Sequence, residues 1–346
     1  MYHQSGHVMT VLGLKDPEDL GITLCHEHLL IDFTIMYQEP KDPDERQMAR
    51  APIRLENLGR INYNPFEYLE NLRLSEEDLA VEEVQSFKVA GGCTIVDCTI
   101  NGMGRDPEGL RRISQRTGVN IISSTGFYVY LTHPKDMNSL SVEDLKEKMV
   151  ADIKDGVGDT GIRAGFVKIG NSFPWHENER KVCKAAVKTQ LETGVPLSMH
   201  PGRNRKAPFE ILGFLKDEGA QIDRVVMCHL DRTIDDIQEF KTVAGFGCYL
   251  EIDFFGYETY YPLSDFLMPN DAGRIKLVKS LIDEGYLDRI LISHDTCWKT
   301  RWKRFGGYGI DHIPKNIVPR LQNQGISRRE IKQILVDNPR NLLTIR

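Results

Sequence analysis

The stretch "GITLCHEHLLIDF", residues 21–33, decides how the rest of the chain is read. Its apolar and β-branched residues run on as they do in a strand buried on both faces, the mark of a parallel sheet. Two imidazoles, His26 and His28, interrupt that run two residues apart. Side chains at i and i+2 of a strand point the same way, so both rings project to one side and Glu27 to the other. A doubly wound sheet would place a glycine-rich phosphate-binding turn after its first strand, and "HEHLLIDF" has none of that pattern.

Outward from this stretch, further strand-like runs recur: "TIVDCTI" (94–100), "NIISSTGFY" (120–128), "AGFVKIG" (164–170), "VPLSMH" (195–200), "RVVMCH" (224–229), "CYLEIDF" (248–254) and "RILISHD" (289–295). Segments of helical period lie between them. Caps are expected at Ser75, Ser141 and Ser327, each followed three residues on by an acid, Asp78, Asp144 or Glu330. Gly91, Gly156 and Gly194 are placed to end helices. Strand and helix alternating through eight rounds predict an α/β chain folded as a (β/α)8 TIM barrel, a single domain over residues 1–346. Residues 34–74 read as a long irregular loop after strand 1, suited to a lid or binding loop at the catalytic end.

A net charge of −6 argues against a nucleic-acid or anionic-membrane partner, since both need a basic footprint. No apolar run is long enough to cross a bilayer and the start lacks a secretory pattern, so a cytoplasmic location is expected. The seven cysteines form an odd set without a C-x-x-C pair, which indicates neither a disulfide framework nor a zinc finger.

Barrel chemistry gathers at the carboxyl ends of the strands. Those ends carry His26 and His28 on strand 1, Lys168 on strand 4, His200 on strand 5, His229 on strand 6 and Asp295 on strand 8. A lone histidine there is ordinarily a satisfied polar group. Burying all of these without a partner would be costly, so metal ligation explains them better. Imidazole and carboxylate donors suit zinc by default, with manganese or cobalt as alternatives. Lys168 reads either as a salt-bridged core lysine or as a neutral amine that has taken up carbon dioxide to become an anionic carbamate. His294 should face away from the site, in a packing or supporting role.

The motifs "TLCHEHLL", "RAGFVKIG", "MHPGR", "CHLDRT" and "LISHDTCWKTRWKRFGGYG" resemble, in order and spacing, the phosphotriesterase family of the amidohydrolase superfamily, and within it the phosphotriesterase-related subgroup. The resemblance covers essentially the whole chain. It implies a barrel with two divalent metals: His26, His28 and Asp295 on the more buried ion, His200 and His229 on the more exposed one, and carboxylated Lys168 bridging both beside a hydroxide. It makes Asp295 the catalytic proton acceptor and suggests a homodimer. Tyr128 matches a pocket tyrosine of lactonase-like relatives, whereas Phe254 stands where those lactonases carry arginine.

Basic residues crowd three strand ends: Arg203, Arg205 and Lys206, then Arg232, then Lys299, Arg301, Lys303 and Arg304. In an acidic protein this local reversal points to an anionic substrate, with Arg203 and Arg232 the leading binding candidates. The others are expected to be solvated, or paired with Asp231, Glu251 and Asp253. The expected activity is hydrolysis of an ester, lactone or amide bond in a small anionic molecule. The alternatives are a phosphotriesterase, which would have no use for the basic rim, a mononuclear deaminase-like enzyme, and a non-catalytic metal-binding barrel.

Overall fold

A computed structural model of the chain describes residues 4–261 and 267–346. Eight strands lie parallel in one sheet in chain order: β1 (Ile22–Glu27), β2 (Gly92–Asp97), β3 (Asn120–Thr125), β4 (Phe166–Gly170), β5 (Leu197–His200), β6 (Val225–Met227), β7 (Tyr249–Ile252) and β8 (Ile290–Ile292). Every expected strand is present, and most are shorter than their apolar runs. Parallel neighbours need long crossovers, and helices supply them: α1 (Glu77–Val89), α2 (Pro107–Thr117), α3 (Val142–Lys154), α4 (Glu177–Thr193), α5 (Ala207–Asp217), α6 (Ile237–Ala244) and α7 (Asp271–Asp283).

Each strand pairs with the next from β1 to β8. Between β8 and β1 the barrel closes without a ladder among the described residues, through individual hydrogen bonds to Glu27, to the His26 carbonyl and to Ser293. The Ser293 hydroxyl accepts from the His26 N–H at 3.1 Å and lies 2.8 Å from both the His26 carbonyl and the Glu27 carboxylate, either of which can take its proton. Inside the barrel, Cys25, Val96, Ile122, Phe166, Val226 and Leu291 form a dry layer. Alternation then carries polar residues toward the carboxyl end, Lys168 two residues after Phe166 and Cys228 two after Val226.

The capping boxes at Ser141 and Ser327 are formed as expected, and Gly194 ends α4 in the left-handed region at φ 71°. Ser75 does not cap α1. Glu76 occupies that position without a side-chain cap, because its carboxylate is turned to the buried Lys299 ammonium.

The loop after strand 1 needs correcting. Residues 34–74 hold two short helices, Pro43–Met48 and Leu55–Tyr63, and the insertion is tied at its base by antiparallel pairing of Ile31–Asp32 with Arg73–Leu74. A segment that buries Phe66 and Leu72 must satisfy its own backbone, and regular turns do so. A second element was not anticipated. The hairpin Val8–Thr10 with Gly13–Lys15 docks beneath β3, where the Val11 N–H donates to the Ile121 carbonyl at 2.8 Å.

Candidate active site

One cavity at the carboxyl ends of the strands is lined by His26, His28, Lys168, His200, His229 and Asp295, so all six strand-end residues share a chamber. Tyr128, Arg203 and Arg232 line it as well. Two of the residues reach the chamber from the left-handed backbone region, His229 at φ 55° and Asp295 at φ 49°. Such conformations are uncommon away from glycine and need anchoring. The His229 N–H donates to Asp253 at 3.1 Å, and the Asp295 N–H to the His26 carbonyl at 3.1 Å.

His26 Nε2 lies 3.5 Å and His28 Nε2 3.3 Å from Asp295 Oδ1. The opposite ring nitrogens are already held: His28 Nδ1 by the Thr99 hydroxyl at 2.8 Å, His26 Nδ1 by Asp253 at 3.0 Å and Glu251 at 3.2 Å. His229 Nδ1 meets the other Asp253 oxygen at 2.9 Å. Supports of this kind fix ring orientation and leave the far nitrogen for a metal. Burial, above all, lowers the pKa of His26, His200 and His229, so they stand as neutral imidazoles with a free lone pair at pH 7. Burial alone would raise Asp295, but His26, His28 and Lys168 more than offset it and hold the carboxyl below its ordinary range. The donor set of His26, His28 and Asp295, gathered within 4.8 Å, therefore fits a divalent cation.

The other half of the site is arranged differently. His229 gathers with His26, Cys228 and Asp253 within 4.8 Å. His200 faces His229 with ring centroids 4.7 Å apart, and its nitrogens meet the Tyr128 hydroxyl at 3.2 Å and Arg232 Nη2 at 3.3 Å. Burial pushes the Tyr128 phenol up, so it stays a proton donor.

Lys168 is 2% exposed, and among the described residues no carboxylate lies within salt-bridge distance of it. Its amine instead touches Cys228 Sγ at 3.0 Å and the Ser198 hydroxyl at 3.3 Å. The salt-bridged reading of this lysine therefore fails. Burial works to lower the amine, and negative charge on Cys228, Cys98 and Glu251 draws it above its ordinary value. Burial holds both thiols well up, however, so the thiolates that would raise Lys168 form only at alkaline pH.

Most of the basic rim is accounted for. Arg205 pairs with Asp235 and Glu239, Lys299 with Glu70 and Glu76, and Lys303 with Asp311. Arg301 donates to the Phe255 and His294 carbonyls. Arg203 and Arg232 differ: among the described residues neither has a carboxylate within salt-bridge distance, and their closest polar partners are Tyr261 at 2.9 Å and the Pro201 carbonyl at 2.9 Å. Asp231 pairs with Arg274 at 2.7 Å. Glu251 and Asp253 serve the histidines. Sequence reasoning missed that role, although the spacing in "EIDF" puts both on one face of β7 just as "HEH" does for the rings.

The phosphotriesterase family model matches residues 6–343. The chain belongs to that family. N-acetyltaurine hydrolase from Tetraodon nigroviridis is 44% identical, with 100% of each chain covered, and the one from Homo sapiens is 43% identical with 99% of each covered. Among solved structures, a resiniferatoxin-binding protein from Rhodobacter sphaeroides superposes with a TM-score of 0.95 at 36% identity, covering 98% of this chain and 95% of that one. A lactonase from Listeria monocytogenes gives 0.81 at 26% identity, covering 98% and 99%. This phosphotriesterase-family chain is thus a metal-dependent hydrolase on a TIM-barrel scaffold of eight parallel strands, and no helix of its described residues is long and apolar enough to cross a membrane.

Proposed function

We propose that the chain hydrolyses the amide bond of a small N-acyl compound with an anionic tail, N-acetyltaurine or a near analogue. One observation carries this reading: two guanidinium groups without carboxylate partners, Arg203 and Arg232, line the same cavity as the metal-fitting triad. A sulfonate or carboxylate would supply the missing negative charge through charge-assisted hydrogen bonds. The relatives named N-acetyltaurine hydrolase support the same choice. The barrel acts as a single domain over residues 1–346. Its unpaired cysteines suit the reducing cytoplasm.

In this reading His26, His28 and Asp295 would hold one divalent ion, His200 and His229 a second, and carboxylated Lys168 would be a ligand shared between them; zinc would be the default, with manganese or cobalt as alternatives. Such ions, when bound, polarise the bond under attack and lower the pKa of water. Asp295, whose side chain is 11% exposed, takes the proton released by the attacking water and passes it to the leaving amine. Tyr128 donates toward the acyl oxygen. Phe33, Phe66, Met103 and Trp298 wall the chamber, exclude bulk water and leave room for a short acyl group.

The test is release of free amine by protein loaded with zinc and bicarbonate. N-acetyltaurine and N-acetylglycine should be cleaved with higher kcat/KM than a γ-lactone or a neutral phosphotriester. A lactone or triester preferred tenfold or more would overturn the proposal. Protein retaining less than about one metal equivalent and cleaving none of them would favour the non-catalytic barrel.

A further inference from the structure

We infer that Glu27, between the two histidines of β1, is a positioning residue that holds Asp295 against His26 and His28 and so sets the metal affinity of that triad; this rests on the proposed reading of the three as ligands.

The triad straddles the one weak line of the barrel. His26 and His28 come from the first strand and Asp295 follows the last, and among the described residues no ladder joins β8 to β1. Without another tie, the two sides could slide past each other and spread the donors. Glu27 supplies that tie. Its carboxylate is 0% exposed and takes four donors, all from the segment after β8. Oε1 accepts from Ser293 Oγ at 2.8 Å, the His294 N–H at 2.9 Å and His294 Nδ1 at 2.7 Å, while Oε2 accepts from the Thr296 N–H at 3.1 Å. Between the two gripped amides, the Asp295 N–H donates to the His26 carbonyl at 3.1 Å. Three consecutive amides, 294 to 296, are therefore fixed by the adjacent residues 26 and 27.

That grip is what a φ of 49° at Asp295 requires. Released, the residue would relax toward an ordinary backbone region and carry its carboxylate away from the rings. The clamp also reaches outward, since His294 Nε2 accepts from the Ile313 N–H at 3.2 Å, which fixes the tautomer that donates to Glu27. The His294 N–H at Oε1 and the Thr296 N–H at Oε2 can only donate, so both oxygens must accept. A carboxamide of the same shape would aim N–H groups at one set of these donors.

The experiment measures zinc affinity by chelator competition and the visible spectrum of the cobalt-loaded protein, for wild type, Glu27→Gln and Ser293→Ala. Loss of a residue that orients a ligand typically lowers metal affinity by 10- to 100-fold. Glu27→Gln should show a loss of that size with an altered cobalt spectrum, and excess zinc should restore much of its turnover. Ser293→Ala removes seam bonds but keeps both backbone grips on Glu27, and should stay within about threefold of wild type. Unchanged affinity in Glu27→Gln, or equal losses in both variants tracking their melting temperatures, would overturn the clamp. Should Glu27→Gln not fold, Glu27→Asp keeps the charge, shortens the reach and is read the same way. Wild type that binds no zinc would remove the ligand assignment itself, an outcome distinct from normal wild-type binding with an indifferent Glu27.

Discussion

Replacing Arg203 with alanine separates recognition of charge from every other role of the cavity. The guanidinium spends Nε on the Tyr261 hydroxyl at 2.9 Å, and among the described residues the two terminal nitrogens of this cavity-lining residue have no hydrogen-bond partner. A hydrogen bond to a charged group contributes roughly 1.5–3 kcal/mol. At about 1.4 kcal/mol per decade, Arg203→Ala should lower kcat/KM for N-acetyltaurine by roughly 10- to 150-fold, mainly through KM. The isosteric sulfonamide analogue of N-acetyltaurine carries no charge and should lose less than about threefold. Arg203→Lys should fall between, because a point charge replaces a planar fork. Arg232 is a less clean probe: it is 1% exposed, and removing it also strips the Pro201 carbonyl of its donor. Initial rates of amine release across a concentration series of both substrates give the comparison. Equal losses for the charged and neutral compounds would refute the role of Arg203 in reading charge.

Lys168→Ala and Asp295→Asn should each abolish turnover while far-UV circular dichroism stays that of the wild type; full activity in either would refute its assigned role. Burial works against ionisation of Asp271, but hydrogen bonds from His312 and the Gly256 N–H, together with Arg274, hold its pKa down to about 2. His312, kept below its own ordinary value chiefly by burial, acts there as a neutral donor. A depressed carboxylate stabilises the fold above its unfolded pKa and loses that contribution as pH falls through its folded one, so Asp271→Asn should cost roughly 2 kcal/mol at pH 7. That cost should shrink by about 1 kcal/mol at pH 3 in urea titrations, and a gap independent of pH would contradict the linkage. Gly126 sits at φ 139°, where a Cβ would collide with the Lys168 carbonyl. Gly126→Ala should cost on the order of 3 kcal/mol and disturb the lysine, measured by denaturant melts and metal content; a neutral effect would show that β3 and β4 can part there.

The strands were legible because a barrel strand is apolar on both faces, and runs such as "FVKIG" and "RVVMCH" say so without help from their neighbours. The helices of the insertion were not. Pro43–Met48 buries nothing and has no apolar stripe, and Leu55–Tyr63, which does space Leu55, Leu58 and Ile61 three apart, is only nine residues long and carries Gly59 inside it. The hairpin at Val8–Lys15 is two three-residue strands, too short for alternation to stand out. At Ser75 the local cap signal was sound, but a tertiary contact from Lys299 decided the helix start.

The site was legible in its rare residues and illegible in its common ones. A histidine or lysine inside an apolar run is conspicuous, so the six strand-end residues could be named together. The acids that orient them looked like partners for the nearby arginines, since an aspartate beside an arginine is the ordinary way to discharge both. Yet the same period-two rule that paired His26 with His28 also pairs Glu251 with Asp253, and on a parallel sheet closed into a barrel both pairs meet at the axis. Asp253 then touches a ring from β1 and the ring that follows β6. Among the described residues Arg203 and Arg232 are left without carboxylate partners because these acids are engaged elsewhere. Metal-fitting rings and unneutralised cations are therefore two outcomes of one allocation of carboxylates, and the anionic substrate we propose would complete it.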